Sequence, residues 1–422
     1  MEITRLQPTQ LSERIGSLDF LRGIAILGIL VINIESFSYP DPWSPFKYGF
    51  ISEIDRYTRF WVYLLAQGKF FSMFTLLFGV GFYIFLERLE KKGLGLKALD
   101  IYSRRLMWLF VIGLLHAYLI WDGDVLYHYA ICGFLLFPFR SFRIRHILLV
   151  LSIPITVLIY NSYQNTISLQ KQYQKYSQSI LVKENERTSE DIENIERWQK
   201  RTEERKSEDS KVKVPRQNIY QNWKANSEHT KVHKGMIVYE GILLRTLIMM
   251  LLGIVLYKSD IFRDYRALKH YWPFTFTILI AALIVNYLRF YHWTFQYFDP
   301  VVNIWKGWLF TFPKETLGLA YILLFNGLYQ KYLKKIKFKP ISLAGRMALT
   351  NYIMQSIICT LIFYGFGLGK YNAYSRSELL YFVLSIWIFQ LIFSWFWMQR
   401  FNYGPLEWTW RKLTYRSFKR NF

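Results

Sequence analysis

His116, Asp124 and His128 lie within Arg104 to Ala130, R-R-L-M-W-L-F-V-I-G-L-L-H-A-Y-L-I-W-D-G-D-V-L-Y-H-Y-A, and all three are residue types that move protons. An imidazole near the end of an apolar helix acts as a general base near neutral pH, and a neighbouring carboxylate fixes its tautomer and raises its basicity. His116 sits five residues below the expected outer end of its helix at Trp121, about 7.5 Å at the α-helical rise. Asp124 and His128 are four apart and share a face if a second helix opens at the turn Trp121-Asp122-Gly123-Asp124, so either histidine can pair with the carboxylate. The competing roles are structural: His116 bonded to a neighbouring helix, Asp124 capping the second helix.

Other polar residues interrupt the apolar runs. Arg14 to Glu35 opens with Asp19 and Arg22, three apart on one helical face, and closes with Asn33 and Glu35. The first pair fits a topology anchor in which Arg22 snorkels to the headgroups, whereas Asn33 needs a partner on another helix or a ligand. Arg245 lies nine residues into its apolar block, too deep for snorkelling alone. Glu240 is on another face, which leaves Asp124, Glu35 or a substrate as its partner. Asn351 and Gln355 share a face of a later helix and either bond between helices or meet a ligand. At the inner helix ends, Arg22, Arg104, Arg105 and Arg346 either anchor topology or hold the phosphates of a donor.

Membrane helices must position these groups. Hydrophobic residues make up 52% of the 422 and aromatics 19%, gathered in blocks near the ~20 residues that span a bilayer core, so the chain reads as an all-α polytopic membrane protein. The net charge of +23 sits in short basic groups between those blocks, the pattern of positive-inside loops, and excludes a nucleic-acid surface. The first block runs into V-I-N-I-E-S rather than a small-residue cleavage site, which makes it a signal anchor. Cys132 and Cys359 fall in apolar blocks, with no disulfide framework and no metal-ligand spacing.

Ten spans are expected: Phe20 to Phe37, Phe70 to Leu86, Leu106 to Trp121, Val125 to Phe139, Ile147 to Tyr160, Met236 to Tyr257, Tyr271 to Leu288, Trp308 to Leu328, one from Gly345, and Leu379 to Trp397. Ser38 to Arg59 reads as an interfacial loop, and Pro313-Lys314-Glu315 interrupts the eighth span. The basic stretches Arg88 to Arg105, Arg140 to Arg145 and Lys331 to Lys339 put both termini in the cytoplasm. The organisation is a first membrane half, 1–160, an external charged helical insertion, 161–234, with a helix start at Ser189, and a second membrane half with a cytoplasmic tail, 235–422. No internal repeat of the kind that builds inverted-repeat transporters is evident.

The pattern L-D-x-x-R-G-x-A-x-x-G-I-x-x-x-N from Leu18 to Asn33, the run G-R-M-A-L-T-N-Y from Gly345 followed by Gln355-Ser356, and the ending G-P-L-E-W-T-W-R-K-L-T-Y from Gly404 to Tyr415 resemble the YeiB-like family of bacterial membrane proteins, domain of unknown function 418. That family is grouped with transmembrane acyltransferases, whose lysosomal member acetylates the terminal glucosamine of heparan sulfate. The resemblance implies a multi-pass protein of the bacterial cell membrane that moves an acyl group from a cytoplasmic acyl-coenzyme A to a hydroxyl or amine of an outer-surface glycan or lipid. By the same analogy Asn33 belongs to the transfer site. The lysosomal enzyme also uses a histidine just after its first helix, and Ile34 to Arg59 contains none; His116 or His128 replaces that base, or Glu35 serves. Arg22, Arg104, Arg105 and Arg346 are the donor-binding candidates, and Glu35, Arg245, Asn351 and Gln355 the substrate-binding ones beside His116, Asp124 and Asn33. A function of another class, export or transport of a small polar or anionic solute, would use Arg245 in the pathway and His116 and Asp124 as proton carriers.

Overall fold

The computed structural model describes residues 15–42, 47–203, 215–239, 241–295, 307–333 and 339–415, and among them the chain is all-helical, without a strand. The α-helices are α1 Gly16–Ser38, α2 Glu53–Leu65, α3 Lys69–Lys91, α4 Leu96–Leu119, α5 Leu126–Leu136, α6 Ile144–Leu181, α7 Ser189–Glu203, α8 Ile219–Tyr239, α9 Ile242–Lys258, α10 Tyr271–Phe295, α11 Pro313–Leu328, α12 Lys339–Arg346, α13 Ala348–Phe363, α14 Arg376–Arg400 and α15 Pro405–Tyr415. Five helical stretches are long and apolar enough to cross a membrane: Gly16–Ser38, Glu53–Lys91, Ile144–Leu181, Tyr271–His292 and Arg376–Arg400.

Several boundaries differ from the sequence expectation for identifiable reasons. α2 starts inside the stretch read as a loop, because Asp55 accepts the Ser52 N–H (2.9 Å) and that of Ile51 (3.0 Å) and so fixes a helix start there. Pro313 marks the break expected in the eighth span, between a 3-10 turn at Gly307–Phe310 and α11. It stands in the first turn of α11, where its missing N–H is harmless. α4 begins at Leu96 and absorbs the end of the expected basic loop. α6 passes Tyr160 without a break and reaches Leu181, 38 residues in all, about 57 Å, so the polar insertion begins as a direct continuation of an apolar helix. α7 folds back on it, with Trp198 against Tyr173 (5.2 Å) and Tyr176 (5.7 Å). The expected basic stretch at Lys331 to Lys339 falls largely on 334–338, outside the described residues, as does Glu240.

α1 is the central element, packed against α3, α12, α13 and α14. Its crossing with α12 brings backbones into contact. A Cβ at Gly23 would meet the Ile341 carbonyl, and one at Gly345 the Asp19 carbonyl, the small-residue packing that helices use in lipid. Leu21, Ala25 and Ile26 of α1 join Leu76, Leu77 and Val80 of α3 and Met250 and Ile254 of α9 in the main core. Both cysteines are buried and free.

Candidate active site at the C-terminal end of α4 and the neighbouring cavity

A cavity of about 970 Å³ opens beside the start of α1, the end of α3 and the tail helix α15, near the upper end of the ~300–1,000 Å³ usual for ligand sites. Its α3 wall extends from Lys91 to Phe74, about 26 Å of helix. The composition changes along that depth. Arg22, Arg88, Lys91, Lys92, Arg105, Arg263, Arg346 and Arg411 supply the cations, against Asp19, Glu87 and Glu407, while Phe74, Leu77, Phe78 and Phe82 line the deep part.

The three acids are already committed. Asp19 pairs with Arg22 (3.1 Å) and Glu87 with Lys91 (3.1 Å). Glu407 accepts from Leu349 N (2.7 Å), Thr350 N (3.1 Å) and Thr350 Oγ1 (2.6 Å) and thereby caps α13 from the tail. Burial holds its carboxyl above the usual carboxylate range despite those donors. Arg105 is sandwiched between rings, its Cζ 3.7 Å from the Trp410 centroid and 4.7 Å from that of Phe85, so its guanidinium is held in place without a carboxylate partner among the described residues. Arg346 donates to Asn402 O (3.2 Å). Of the four donor-binding candidates, Arg22, Arg105 and Arg346 line the cavity. Arg104 does not, because adjacent residues of a helix point about 100° apart, and it pairs with Asp100 at 2.7 Å.

Farther along α4, His116 Nδ1 lies 2.8 Å from Asp124 Oδ1. His116 is 2% exposed and Asp124 1%, so water does not compete for this bond. The other carboxylate oxygen accepts from Leu126 N (2.8 Å) and Tyr127 N (3.2 Å) and caps α5. With both oxygens accepting, Nδ1 carries the proton shared with Asp124, and Nε2 is left as the lone-pair nitrogen. Nε2 has no hydrogen-bond partner among the described residues. Of the two pairings the sequence permits, the structure forms His116 with Asp124, and the His128 ring lies tilted against that of Tyr127, centroids 3.9 Å apart.

Tyr352 lies against this pair and Tyr129 against the cavity lining. Tyr352, one turn beyond the cavity-lining Ala348 and Leu349, has its ring 5.2 Å from that of His116. Tyr129 packs on Phe78 (4.8 Å) and bonds Thr75 Oγ1 (2.8 Å). Neither His116, Asp124 nor Asn33 lines the cavity itself. Asn33 is half-buried and its side chain makes no hydrogen bond among the described residues; α1 reaches the α4–α5 turn one helical turn later, where Phe37 meets Trp121 at 4.4 Å.

The remaining sequence candidates are bound up elsewhere. Glu35 pairs with Arg376 of α14, both buried. Arg245 donates to Glu315 Oε1 (2.8 Å) and Thr311 O (2.7 Å), so its partner is neither Asp124 nor Glu35. Asn351 bonds Ser394 Oγ (3.1 Å) and Ala344 O (3.0 Å), and Gln355 bonds Gln390 Oε1 (2.9 Å) and Ile26 O (3.0 Å). These amides hold α13 to α14, α12 and α1, the interhelical alternative. Sequence reasoning missed Arg376 and Glu315 as partners, Glu407 as a cap and Tyr352 as the bridge. Only Arg376 had a local signal, as the residue after Ser375 in a Ser375/Glu378 capping box.

The insertion returns to this end of the bundle. α8 lies against the end of α4, where Asn222 donates to Leu119 O (3.2 Å) and Ile120 O (3.3 Å) and Asn226 to Tyr118 O (3.3 Å), satisfying helix-end carbonyls. Arg216 and His229 both reach Asp122 (3.3 and 3.1 Å). Burial raises the Asp122 pKa, but the His229 hydrogen bond and Arg216 outweigh it and hold the carboxyl below its ordinary range. The bond to Asp122 raises His229.

The family described as a protein of unknown function, DUF418, matches residues 256–417. A protein of Bacillus subtilis strain 168, "Uncharacterized protein YxaH", is 32% identical over 99% of this chain and 98% of its own length. "Uncharacterized protein YeiB" of Escherichia coli K12 is 28% identical over 96% of this chain and 97% of its own length. An "Uncharacterized 39.9 kDa protein in amylase 3'region" of Bacillus acidopullulyticus is 26% identical over 97% and 96%. No solved structure matches the chain.

Proposed function

Since the chain belongs to the family described as a protein of unknown function (DUF418), we propose from its own geometry that it is a transmembrane acyltransferase. It uses an acyl-coenzyme A from the cytoplasmic side and an outer-surface glycan or lipid acceptor. The observation that carries this reading is the gradient within one cavity, from a mouth rich in Arg and Lys to an aromatic interior. A donor with a polyanionic head, a long arm and a thioester at its far end has that same gradient. Phosphates bind guanidinium groups with matched geometry, and the apolar depth excludes the water that would hydrolyse the thioester.

In this reading Arg105, Arg22 and Arg346 hold the head, and the thioester rests deep in the cavity, on the side nearer His116. His116 Nε2 takes the proton of the acceptor hydroxyl or amine while Asp124 holds the imidazole tautomer. The acceptor heteroatom forms the new bond to the acyl carbon, the carbon–sulfur bond breaks, and the thiolate leaves toward the cytoplasm. Tyr352 separates cavity from histidine and has to turn aside. Asn33, on the α1 face that continues to Phe37, is the side-chain amide for the carbonyl oxygen. The topology that goes with this chemistry is ten spans of a bacterial cell membrane, with both termini and the cavity mouth on the cytoplasmic face and the insertion outside. Cells carrying or lacking the protein, fed an isotope-labelled acyl precursor, should differ in acylated surface glycans or lipids. Identical surface profiles would reject the activity.

A further inference from the structure

At the far end of α1 from the cavity mouth, 19 residues past Gly16 and so about 29 Å along the helix, Glu35 belongs to a second charged cluster. Arg59 of α2 is 0% exposed and Arg376 2%. Arg376 gives Nη1 to Glu35 and Nη2 to Pro42 O (3.3 Å). Arg59 has no carboxylate partner among the described residues: its three guanidinium nitrogens make no hydrogen bond of normal geometry there, and its polar neighbour is the Tyr63 side chain.

Asp55, one turn earlier on the same helix, does not supply the missing counter-charge. Its Oδ2 accepts from Ile51 N (3.0 Å) and Ser52 N (2.9 Å), and its Oδ1 from Ser377 N (3.0 Å) and Ser377 Oγ (2.6 Å). Among the described residues, two buried guanidinium groups thus share the carboxylate of Glu35. A buried charge without a counter-ion costs several kcal/mol. The half-exposed Phe50 ring lies 5.7 Å from Arg59 Cζ and 4.7 Å from Arg376 Cζ.

We infer that Arg59, beside Arg376 and beneath Phe50, is the binding site for a singly charged oxyanion of phosphate type, from a phosphodiester lipid headgroup or from soluble phosphate. Among the described residues the two guanidinium groups exceed the Glu35 carboxylate by one positive charge, and the planar fork of a guanidinium matches two oxygens of such a group. Phe50 turns away to admit the ligand, and Tyr63, whose ring lies 4.7 Å from Arg59 Cζ, keeps the guanidinium oriented. The site is independent of the chemistry proposed for the inner cavity.

The test uses the full chain in lipid-depleted detergent. Thermal unfolding is followed while sodium phosphate is titrated against sodium chloride at matched ionic strength, and separately while dioleoylphosphatidylglycerol is titrated against an uncharged galactolipid. A saturable rise in Tm with phosphate assigns the soluble source, and a rise with phosphatidylglycerol alone assigns the headgroup. In either case Arg59→Lys should weaken the response by about tenfold or more, because one ammonium cannot replace the fork, and Phe50→Ala should preserve it. Hydrogen exchange over residues 50–64 of the unmodified protein should slow on addition of the effective probe, a measurement that does not depend on any variant folding. No response of the unmodified protein to either probe would overturn the inference. So would an Arg59→Lys or Arg59→Met protein that responds as the unmodified one does, which would leave Arg59 as a packed cation–π residue.

Discussion

Asp124→Asn separates a catalytic His116 from a structural one more cleanly than removal of the histidine. The carboxylate accepts from His116 Nδ1 with one oxygen and from Leu126 N and Tyr127 N with the other. An asparagine has one accepting and one donating end. Turning its oxygen toward His116 would set its NH₂ against two backbone N–H groups and leave both unpaired, at about 1–3 kcal/mol each. The side chain therefore keeps its oxygen on the helix end and presents NH₂ to Nδ1. Nδ1 must then accept, the ring proton moves to Nε2, and the nitrogen facing the reaction loses its lone pair. The stability loss is confined to the charge assistance of the hydrogen bonds, roughly 1–2 kcal/mol, whereas acyl transfer should fall by about 10²- to 10⁴-fold. His116→Ala is the poorer probe, because it strands a buried carboxylate oxygen at about 3 kcal/mol or more. The variant and the parent would be compared in nanodiscs for thermal unfolding and for transfer of label from acetyl-coenzyme A to extracted surface glycans and lipids. A folded Asp124→Asn protein that transfers at the parental specific rate would refute the general-base assignment.

Neutralising Arg105 and Arg346 together, as Arg105→Gln and Arg346→Gln, should weaken coenzyme A binding to purified protein by about tenfold or more, read by calorimetry, with Arg104→Gln as the neutral control; equal losses in the control would move the donor elsewhere. Because both native cysteines are buried, single cysteines at Ser189 and Lys92 can report topology: in intact cells an impermeant maleimide should label Ser189 and not Lys92, and the reverse would invert the ten-span arrangement. The α8 clamp should depend on pH. His229 is raised by Asp122, so its contribution is complete below the unfolded value near 6.5 and fades as pH rises through the folded value, while lowered Asp122 contributes above about 4 and is lost on acidification below that. Hydrogen exchange of residues 219–239, corrected for intrinsic rates, should be slower at pH 6 than at pH 8.5, and His229→Gln should remove the difference.

The His116 and Asp124 pair was legible because a tight turn supplies its geometry. Two antiparallel helices joined by Trp121 to Val125 bring residues on either side of the turn face to face, so eight positions of separation are enough to expect contact. Nothing comparable indicates that Glu35 meets Arg376, 341 positions away, or that Arg245 meets Glu315, 70 positions away. Each charge announces that it needs a partner in an apolar setting, but the choice among partners belongs to helix order and rotation. Helical phase decides smaller matters in the same way: with α4 beginning at Leu96, Arg105 turns into the cavity and Arg104 out of it, a distinction invisible while both are counted as loop residues.

The three stretches that carry the family resemblance are separate in sequence and adjacent in space, and that adjacency gives their residues distinct jobs. Gly23 and Gly345 lack side chains where α1 crosses α12 with the backbones touching, so a β-carbon at either would push apart the helices that carry Arg22 and Arg346. Glu407 in the tail caps α13, and Trp410, three residues farther along the same helix, both bonds Arg105 O (2.8 Å) and backs its guanidinium. The glycines and the glutamate, of which Gly345 and Glu407 also line the cavity, thus help set the positions of its arginines. It follows that replacing Glu407 by Gln, which keeps an acceptor for the α13 N–H groups, should leave the cavity mouth in place, whereas Ala there leaves Leu349 N, Thr350 N and Thr350 Oγ1 to find other partners and should loosen α13 and Arg346 together.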